Sequence, residues 1–401
     1  MVTLADIRAA QERISGHIIR TPVVYSPTLS AMTGAHVWFK LESLQKAGSF
    51  KVRGAANKIL AAGETIRGAG VVAASAGNHA QGVVVAAHAA GVPAVIVMPE
   101  WAGISKQEAT RGYGAQVILH GATLEESIER AQRLADEGRL FIHPFDDEEV
   151  IAGQGTIALE ILADLPETDL IVVPVGGGGL VTGIAVAAKA LRPEISIVGV
   201  QAAACPSAEE ARTRGQPVRV QAGQTIADGI RVAQTGSIAF PAIRDLVDQI
   251  VLTTEDEIAD AILLLMERKH LVAEGAGASP LAAIMNGAID IRPDSTVVLV
   301  ISGGNIDSAL LFRVIRQSMA RMGRIMRFSL LLEDQPGALA QVLGIIAKKR
   351  GNILHIHHTS GEGNVPVRMA RVHLELETRG RDHMQAVRKE LTEAGYDVNM
   401  A

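Results

Sequence analysis

The chain has 401 residues, 48% of them hydrophobic, which is enough for two or three domains with a large buried core. The net charge of −5, without any basic run, argues against a nucleic-acid partner. Cys205 is the single cysteine, which excludes disulfide frameworks and cysteine-based zinc sites. Charged residues interrupt the N-terminal stretch, and the longest uncharged run, 170–188, contains Pro174 and four consecutive glycines. We therefore expect a cytoplasmic protein without a membrane partner.

Apolar strand patterns alternate with helical patterns along most of the chain, after an amphipathic helix over residues 3–15. The predicted strands cover residues 37–39, 71–74, 94–98, 116–119, 170–173, 195–200 and 297–301. The predicted helices cover residues 49–61, 78–90, 123–136, 180–191, 254–270 and 306–317. Aromatic residues make up only 3% of the chain. This α/β pattern predicts open, mostly parallel sheets with helices on both faces, and ligands bind such sheets at the carboxyl ends of the strands.

The stretch 40–55 runs from a strand through a polar loop into a helix. Ser49 is the predicted helix N-cap, so Lys51 lies in the first helical turn. Free backbone N–H groups and the positive end of the helix dipole disfavour a second positive charge there. Lys51 is therefore a candidate neutral amine for Schiff-base chemistry, although a solvated lysine at a helix start fits the same pattern.

The strings Glu42-Ser43-Leu44-Gln45 and Gly48-Ser49-Phe50-Lys51-Val52-Arg53-Gly54-Ala55 resemble the lysine motif of tryptophan-synthase-β-like pyridoxal phosphate (PLP) enzymes. Within that group they look most like threonine and serine dehydratases. The resemblance implies a fold type II enzyme with two lobes over residues 1–322, the smaller lobe covering about 45–150. It also implies that Lys51 is the catalytic residue and that Phe50 borders the cofactor. Ala47 departs from the motif, in which relatives often carry threonine.

A second motif, Ser75-Ala76-Gly77-Asn78-His79, lies between a strand and a helix. Small residues at a helix start expose N–H groups to an anion, although a capped helix after a tight turn has the same pattern. By resemblance this is the loop that binds the substrate carboxylate, with Asn78 also approaching the cofactor. We expect no general-base role for His79, because Lys51 matches the family's base.

A third motif, Gly176-Gly177-Gly178-Gly179-Leu180, follows a strand and opens a helix. Its backbone N–H groups can cradle a phosphate. Thr182 stands where a dinucleotide fingerprint needs its third glycine, and the next strand ends at Gln201 instead of an acidic residue. The stretch therefore fits a monophosphate such as that of PLP.

Two further loops match the family. By resemblance, Ser302 of the stretch Ser302-Gly303-Gly304-Asn305 hydrogen-bonds the pyridine nitrogen. A serine does not force a proton onto that nitrogen, which favours β-elimination over transamination. The other loop, Glu274-Gly275-Ala276-Gly277-Ala278, lies near the substrate in the family, and Glu274 is expected to orient the leaving hydroxyl or the imine network.

We expect no metal ion. Some relatives bind a divalent cation where this chain has Gln201-Ala202-Ala203-Ala204-Cys205-Pro206-Ser207, a stretch without carboxylates. His355 and His357 share one face of a predicted strand, but a pair of surface histidines without a third ligand is the commoner case.

About the last 75 residues form a separate pattern. Residues 326–401 predict a βαββαβ, ferredoxin-like order that ends in a short strand over 396–399. The turn at 334–339 and the helix exit Gly351-Asn352-Ile353 resemble those of an ACT domain, a small amino-acid-sensing module. The expected regulatory residues are Asp334, Gln335, Gly337, Ala338, Leu339, Asn352 and Ile353.

The resemblance implies PLP-dependent deamination of L-threonine to 2-oxobutanoate and ammonia, and of L-serine to pyruvate, in a homodimer or homotetramer with an amino-acid effector. Two alternatives stay open. One is another PLP activity on this scaffold, such as a serine racemase, a serine dehydratase or a β-replacement synthase. The other is a non-enzymatic amino-acid sensor.

Overall fold

The computed structural model describes residues 1–360 and 365–400. The chain divides into two compact units, Met1–Ile306 and Asp307–Ala401. The predicted boundary between residues 322 and 326 therefore stays a prediction. Among the described residues, no helix combines the length and the apolar character that crossing a bilayer demands.

The first unit alternates strands and helices, as its sequence pattern predicts. Its strands are β1 (Val23–Tyr25), β2 (His36–Leu41), β3 (Val71–Ala74), β4 (Ala94–Met98), β5 (Gln116–Leu119), β6 (Leu140–Phe141), β7 (Leu170–Pro174), β8 (Ser196–Ala202), β9 (Gln249–Thr253) and β10 (Thr296–Ile301). Its helices are α1 (Leu4–Ile14), α2 (Pro27–Thr33), α3 (Lys51–Ala62), α4 (Asn78–Ala89), α5 (Ile104–Gly112), α6 (Leu124–Asp136), α7 (Glu148–Asp164), α8 (Gly179–Leu191), α9 (Ser207–Arg214), α10 (Phe240–Leu246), α11 (Glu255–Lys269) and α12 (Gly275–Met285).

Two sheets define the two lobes of this unit. The larger has the order β1-β2-β10-β7-β8-β9, and the smaller has the order β5-β4-β3-β6. All pairings are parallel except that of β1 with β2. Strands β3, β4, β7 and β10 are buried along their whole length, as expected for parallel strands covered on both faces. The predicted two-lobed parallel α/β architecture is confirmed.

Local sequence chemistry fixes several helix starts. Thr254 and Glu257 form the reciprocal capping box that opens α11. At α6 the Thr123 hydroxyl accepts the Glu126 N–H, but the Glu126 carboxylate accepts from the Ala122 N–H and not from Thr123. The sequence pattern Thr123-x-x-Glu126 predicts a capping box here, and only half of it is formed.

Ser49 does not cap α3 as predicted. The helix begins at Lys51, with Phe50 in helical conformation as the preceding residue. Ser49 is extended, with φ −160° and ψ 160°, and pairs with Gly303 as an isolated bridge. Its hydroxyl is buried without a hydrogen-bond partner. The prediction was wrong because the bridge to Gly303 turns this residue away from the helix end.

The second unit has the predicted βαββαβ order. It comprises α13 (Ser308–Arg321), β11 (Ile325–Glu333), α14 (Ala338–Lys348), β12 (Asn352–Ser360), β13 (Met369–Glu377), α15 (Arg381–Glu393) and β14 (Asn399–Met400). Its sheet has the order β12-β13-β11-β14, with antiparallel pairs. The last strand begins at Asn399 and not at Tyr396, the start that the sequence pattern predicts.

Candidate active site

Lys51 lies at the start of α3, in a cavity between the two lobes of the first unit. Its Nζ donates a hydrogen bond to the Pro144 carbonyl at 2.7 Å. This cavity is partly open to solvent. It is lined by Phe50, Lys51, Pro144, Phe145, Gln154, Pro174, Gly176, Gly177, Gly178, Gly179, Leu180, Gly229, Ile230 and Val232. The lysine motif and the glycine loop, more than 100 residues apart in sequence, therefore share one cavity.

The amine of Lys51 is enclosed even though the residue as a whole is only half-buried. Burial lowers the pKa of Lys51 from 10.5 to about 8, while the nearby Glu274 carboxylate acts in the opposite direction. The sequence correctly indicated a readily neutralised amine. The main physical cause is desolvation, and the helix-start position is not the principal reason.

Within the glycine loop, Gly177 and Gly179 leave no space for a side chain. A Cβ at Gly177 would lie 2.3 Å from the Phe145 ring, and one at Gly179 would lie 2.5 Å from the Phe145 carbonyl. Gly178 has a φ of +102°, which L side chains rarely adopt. The backbone of this loop therefore approaches the cavity directly, and the first N–H groups of α8 have no partners within their own helix. Such an arrangement suits an anion.

The loop before α4 presents small, half-buried residues. The Ser75 hydroxyl accepts the Gly77 N–H at 3.1 Å, which leaves its own proton free to donate. A Cβ at Gly77 would meet no atom within 4 Å, so the loop faces open space at that position. The Asn78 and His79 N–H groups belong to the first turn of α4 and have no intrahelical acceptor. Together with Ala76, this loop can bind a small anion such as a carboxylate.

The His79 ring is engaged by the protein backbone. Its Nε2 bonds the Ile142 carbonyl at 2.8 Å, and the residue is buried. Burial, followed by the charge of Lys51, lowers the pKa of His79 to about 3. A neutral ring committed to a backbone carbonyl leaves the His79 backbone N–H as the group that faces an anion.

Glu274 and Asn78 form a short polar network. The Asn78 Nδ2 donates to Glu274 Oε1 at 2.6 Å, and its Oδ1 accepts from Asn305 Nδ2 at 2.9 Å. Burial raises the pKa of Glu274 to about 7, against the hydrogen bond from Asn78, which lowers it. Glu274 is therefore a carboxyl that changes protonation near neutral pH, and it lies beside the anion-binding loop.

The Ser302 loop packs on the lysine motif. Phe50 donates its N–H to the Ser302 carbonyl at 3.1 Å, and Gly304 donates to the Gly48 carbonyl at 2.9 Å. A Cβ at Gly303 would lie 2.3 Å from Glu274 Oε1. Ser302 is buried at the end of β10. The structure thus brings all four sequence motifs and Glu274 to the same edge of the sheets.

Sequence reasoning missed several residues of this site. Pro144 and Phe145 follow the two-residue strand β6, too short for its pattern to be noticed. Asn305 lies inside the quoted Ser302 motif, yet its Nδ2 donates to Ala47 O, Asn78 Oδ1 and Gln81 Oε1. The position of Asn305 just after a buried strand was a usable signal.

In the stretch 201–207, the side-chain amide of Gln201 makes several hydrogen bonds. Gln201 is buried, and its side chain bonds Val175 O, Ser207 Oγ, and the N–H groups of Ala208 and Glu209.

Within residues 1–360 and 365–400, no group of three or more His, Cys, Asp or Glu side chains could hold a metal ion. His357 and His373 lie opposite each other on β12 and β13, with ring centroids 6.3 Å apart. The absence of a bound metal stays a prediction.

The expected regulatory residues occupy two ends of the second unit's sheet. The turn Asp334–Leu339 follows β11, whereas Asn352 and Ile353 begin β12. Glu377 pairs with both Ile325 and Asn352, so Asn352 is level with the start of β11. At about 3.3 Å per residue, this level lies about 26 Å from the end of β11. The two groups therefore do not meet within one chain.

Comparison with known proteins identifies both units. A family model described as pyridoxal-phosphate dependent enzyme matches residues 14–303, and one described as ACT domain matches residues 326–395. The chain is 46% identical over 401 residues to a protein named L-threonine ammonia-lyase from Thermotoga maritima, covering 100% of both chains. A protein of the same name from Geobacter sulfurreducens is 44% identical with the same coverage.

Solved structures agree. The processed form of threonine deaminase isoform 2 from Solanum lycopersicum is 34% identical, with a TM-score of 0.75, over 79% of this chain and 87% of that one. Maize serine racemase is 37% identical, with a TM-score of 0.75, over 80% of this chain and 98% of that one. The chain therefore belongs to the pyridoxal-phosphate dependent enzymes and carries a C-terminal ACT domain.

Proposed function

We propose that this protein is an L-threonine ammonia-lyase, which converts L-threonine to 2-oxobutanoate and ammonia and L-serine to pyruvate and ammonia. The observation that carries this proposal is the 46% identity, over the whole of both chains, to a protein named L-threonine ammonia-lyase. A non-enzymatic sensor has no use for an enclosed lysine amine in a glycine-lined cavity, so we favour the enzyme.

The residues of the cavity fit the cofactor of the family. PLP needs a lysine amine that loses its proton readily and a site for a phosphate dianion. The cavity offers both: Lys51 has a pKa lowered to about 8, and Gly176–Gly179 form a cradle that Cβ atoms would fill. We assign the phosphate to the N–H groups of Gly176–Gly179 and Leu180, and the ring nitrogen to the Ser302 hydroxyl. Phe50 and Asn78 would border the ring. Bound PLP supplies the electron sink that stabilises negative charge at the substrate Cα.

The chain's own groups divide the remaining work. Ser75, Ala76, Gly77, Asn78 and His79 bind the substrate carboxylate and so orient the bond from Cα to its proton. The Lys51 amine removes that proton as general base. Glu274, held by Asn78, orients the leaving β-hydroxyl. Loss of water yields an enamine, which hydrolyses to the 2-oxo acid and ammonia.

The second candidate is a serine racemase, favoured by the similarity to the maize racemase structure. Racemisation needs a second acid–base group on the face opposite the lysine. By resemblance to the serine racemases of this family, that group would be a serine just before the Gly-Asn pair of this loop, where this chain has Ala76. Alanine carries no proton to deliver, so we rank elimination first.

Release of 2-oxo acid from each L-amino acid tests the proposal directly. We expect the highest kcat/KM with L-threonine and a lower value with L-serine. Chiral chromatography after a long incubation with L-serine measures the rival activity. A yield of D-serine comparable to pyruvate would replace the assignment by the racemase.

The second unit belongs to the same proposal as an amino-acid-binding regulator. Asp334, Gln335, Gly337, Ala338 and Leu339 lie at one end of its sheet, whereas Asn352 and Ile353 lie at the other. One effector site built from both groups therefore takes the turn from one copy and Asn352 from another, which is consistent with the predicted homodimer or homotetramer. A cytoplasmic location also remains a prediction from the sequence.

A further inference from the structure

Gln201 is a fully buried amide that the proposed chemistry does not use. Its Nε2 donates to Val175 O at 3.2 Å and makes a longer contact of 3.4 Å with Ser207 Oγ. Its Oε1 accepts the N–H groups of Ala208 at 2.9 Å and Glu209 at 3.1 Å. These four partners match the two donors and two acceptor sites of an amide, so the side chain has a single satisfied orientation.

The partners of Gln201 belong to two elements. Ala208 and Glu209 open α9, whose preceding residue, Pro206, provides no side-chain cap, so Gln201 caps this helix from β8. Val175 is the last residue before the glycine loop, and its own N–H is bonded to Val200 O at 2.8 Å. The Gln201 side chain therefore connects the start of α9, through hydrogen bonds, to Val175, the residue that precedes the glycine loop.

Because the peptide bond is planar, the hydrogen bond from Gln201 to the Val175 carbonyl also orients the N–H of Gly176. Val175 C=O and Gly176 N–H lie in one rigid trans peptide plane and point in opposite directions. With the carbonyl held by Gln201, the Gly176 N–H must point away from Gln201. Gly176 lines the cavity that contains Lys51. The orientation of the first N–H of the loop is thus set by a side chain outside the cavity.

We propose that Gln201 is a positioning residue that aims the glycine loop at the phosphate of the cofactor. The proposal rests on the proposed role of Gly176–Gly179 as the phosphate site. A neutral amide suits the position because a carboxylate would set an acceptor against Val175 O and add negative charge behind a phosphate dianion.

The test measures binding of PLP, and of pyridoxal without the phosphate, to the cofactor-free full chain, in EDTA so that no cation bridges an introduced carboxylate. Gln201→Met removes the hydrogen bond to Val175 O together with the two that cap α9. It should raise the Kd of PLP about tenfold, the effect of one buried hydrogen bond, because only the bond to Val175 O acts on the loop. The Kd of pyridoxal should change less than twofold. Thr253→Val is the matched control, because the buried Thr253 hydroxyl bonds the Gln201 backbone carbonyl at 3.3 Å and not its side chain. It should lower the Tm without changing the Kd of PLP.

Gln201→Glu adds a readout that a merely structural residue would not give. A protonated carboxyl regains one donor for Val175 O, so the Kd of PLP relative to wild type should improve as the pH falls from 8.5 to 6. An unchanged Kd in both Gln201 variants would overturn the proposal, as would an equal loss for PLP and pyridoxal or an equal loss in Thr253→Val. Equal affinity of the wild-type protein for PLP and pyridoxal would instead refute the phosphate role of the loop itself.

Discussion

At the scale of single residues, Lys51 has the central role in the proposed reaction. Lys51→Ala should lower kcat with L-threonine by at least about 10³-fold, since both the cofactor amine and the general base are lost. The fold should survive, because the lysine makes one hydrogen bond, to Pro144 O. Lys58→Ala, on the same helix and paired with Asp147 at 2.9 Å, is the control and should stay active. Turnover by Lys51→Ala would refute the central assignment.

The raised pKa of Glu274 predicts how kcat depends on pH. Its pKa is raised to about 7, so its neutral form dominates below that pH and the carboxylate above it. If the neutral form donates a hydrogen bond to the leaving hydroxyl, kcat should fall as the pH rises through 7. Glu274→Gln stays neutral and can still accept from Asn78, so it should lower kcat modestly and remove the fall of kcat above pH 7. If kcat of the variant falls with pH as it does in the wild type, the titrating group is not Glu274.

Ala76 separates elimination from racemisation. Ala76→Ser adds a hydroxyl to a half-buried loop that faces open space at the neighbouring Gly77, so the substitution should be tolerated. We expect it to raise formation of D-serine from L-serine at least several-fold, without any dependence on divalent cations, because Gln201 and Ser207 are not carboxylates. Chiral chromatography in EDTA measures both effects. No gain of D-serine would show that the opposite face needs more than one hydroxyl.

At the scale of elements, the glycine loop can be tested by charge. Gly178 is a poor choice because of its φ of +102°, whereas Gly176 has its nearest neighbours at 3.1 Å. Gly176→Asp and Gly176→Asn have nearly the same shape and differ in one charge. A carboxylate beside a phosphate dianion should weaken PLP binding at least tenfold relative to the asparagine variant, and added salt should narrow the gap. Equal PLP affinity in the two variants would place the phosphate elsewhere.

The sequence predicted elements well where their patterns are local. Strands β3, β4 and β5 have the predicted ends, because each is a short apolar run bounded by turn residues. Helix α7 was missed, since residues 150–161 are all buried and leave no polar face for a helical period to show. The site residues were likewise predictable only where their pattern is local. The motifs indicated the cavity, but the packing of Phe145 against the glycine loop joins distant segments that no local pattern connects.

At the scale of the whole molecule, the proposed chemistry and the proposed regulation belong to different units. Every residue assigned to the chemistry lies before residue 306, in the first compact unit. A chain that ends at Met322 should therefore keep its basal kcat with L-threonine and lose any response to amino-acid effectors, branched-chain ones included. Steady-state kinetics with and without each amino acid, together with sedimentation to follow assembly, measures both properties.

A point variant in the full chain gives this prediction its control. Asn352 is exposed, and its Nδ2 donates to Glu377 Oε2 at 3.1 Å, so Asn352→Ala should leave the fold and basal kcat unchanged. If the effector site joins the Asp334 turn of one copy to Asn352 of another, this variant should weaken the effector response at least tenfold while assembly persists. A full-length protein that responds to no amino acid, yet dissociates when shortened to Met322, would make the second unit an assembly module instead of a sensor.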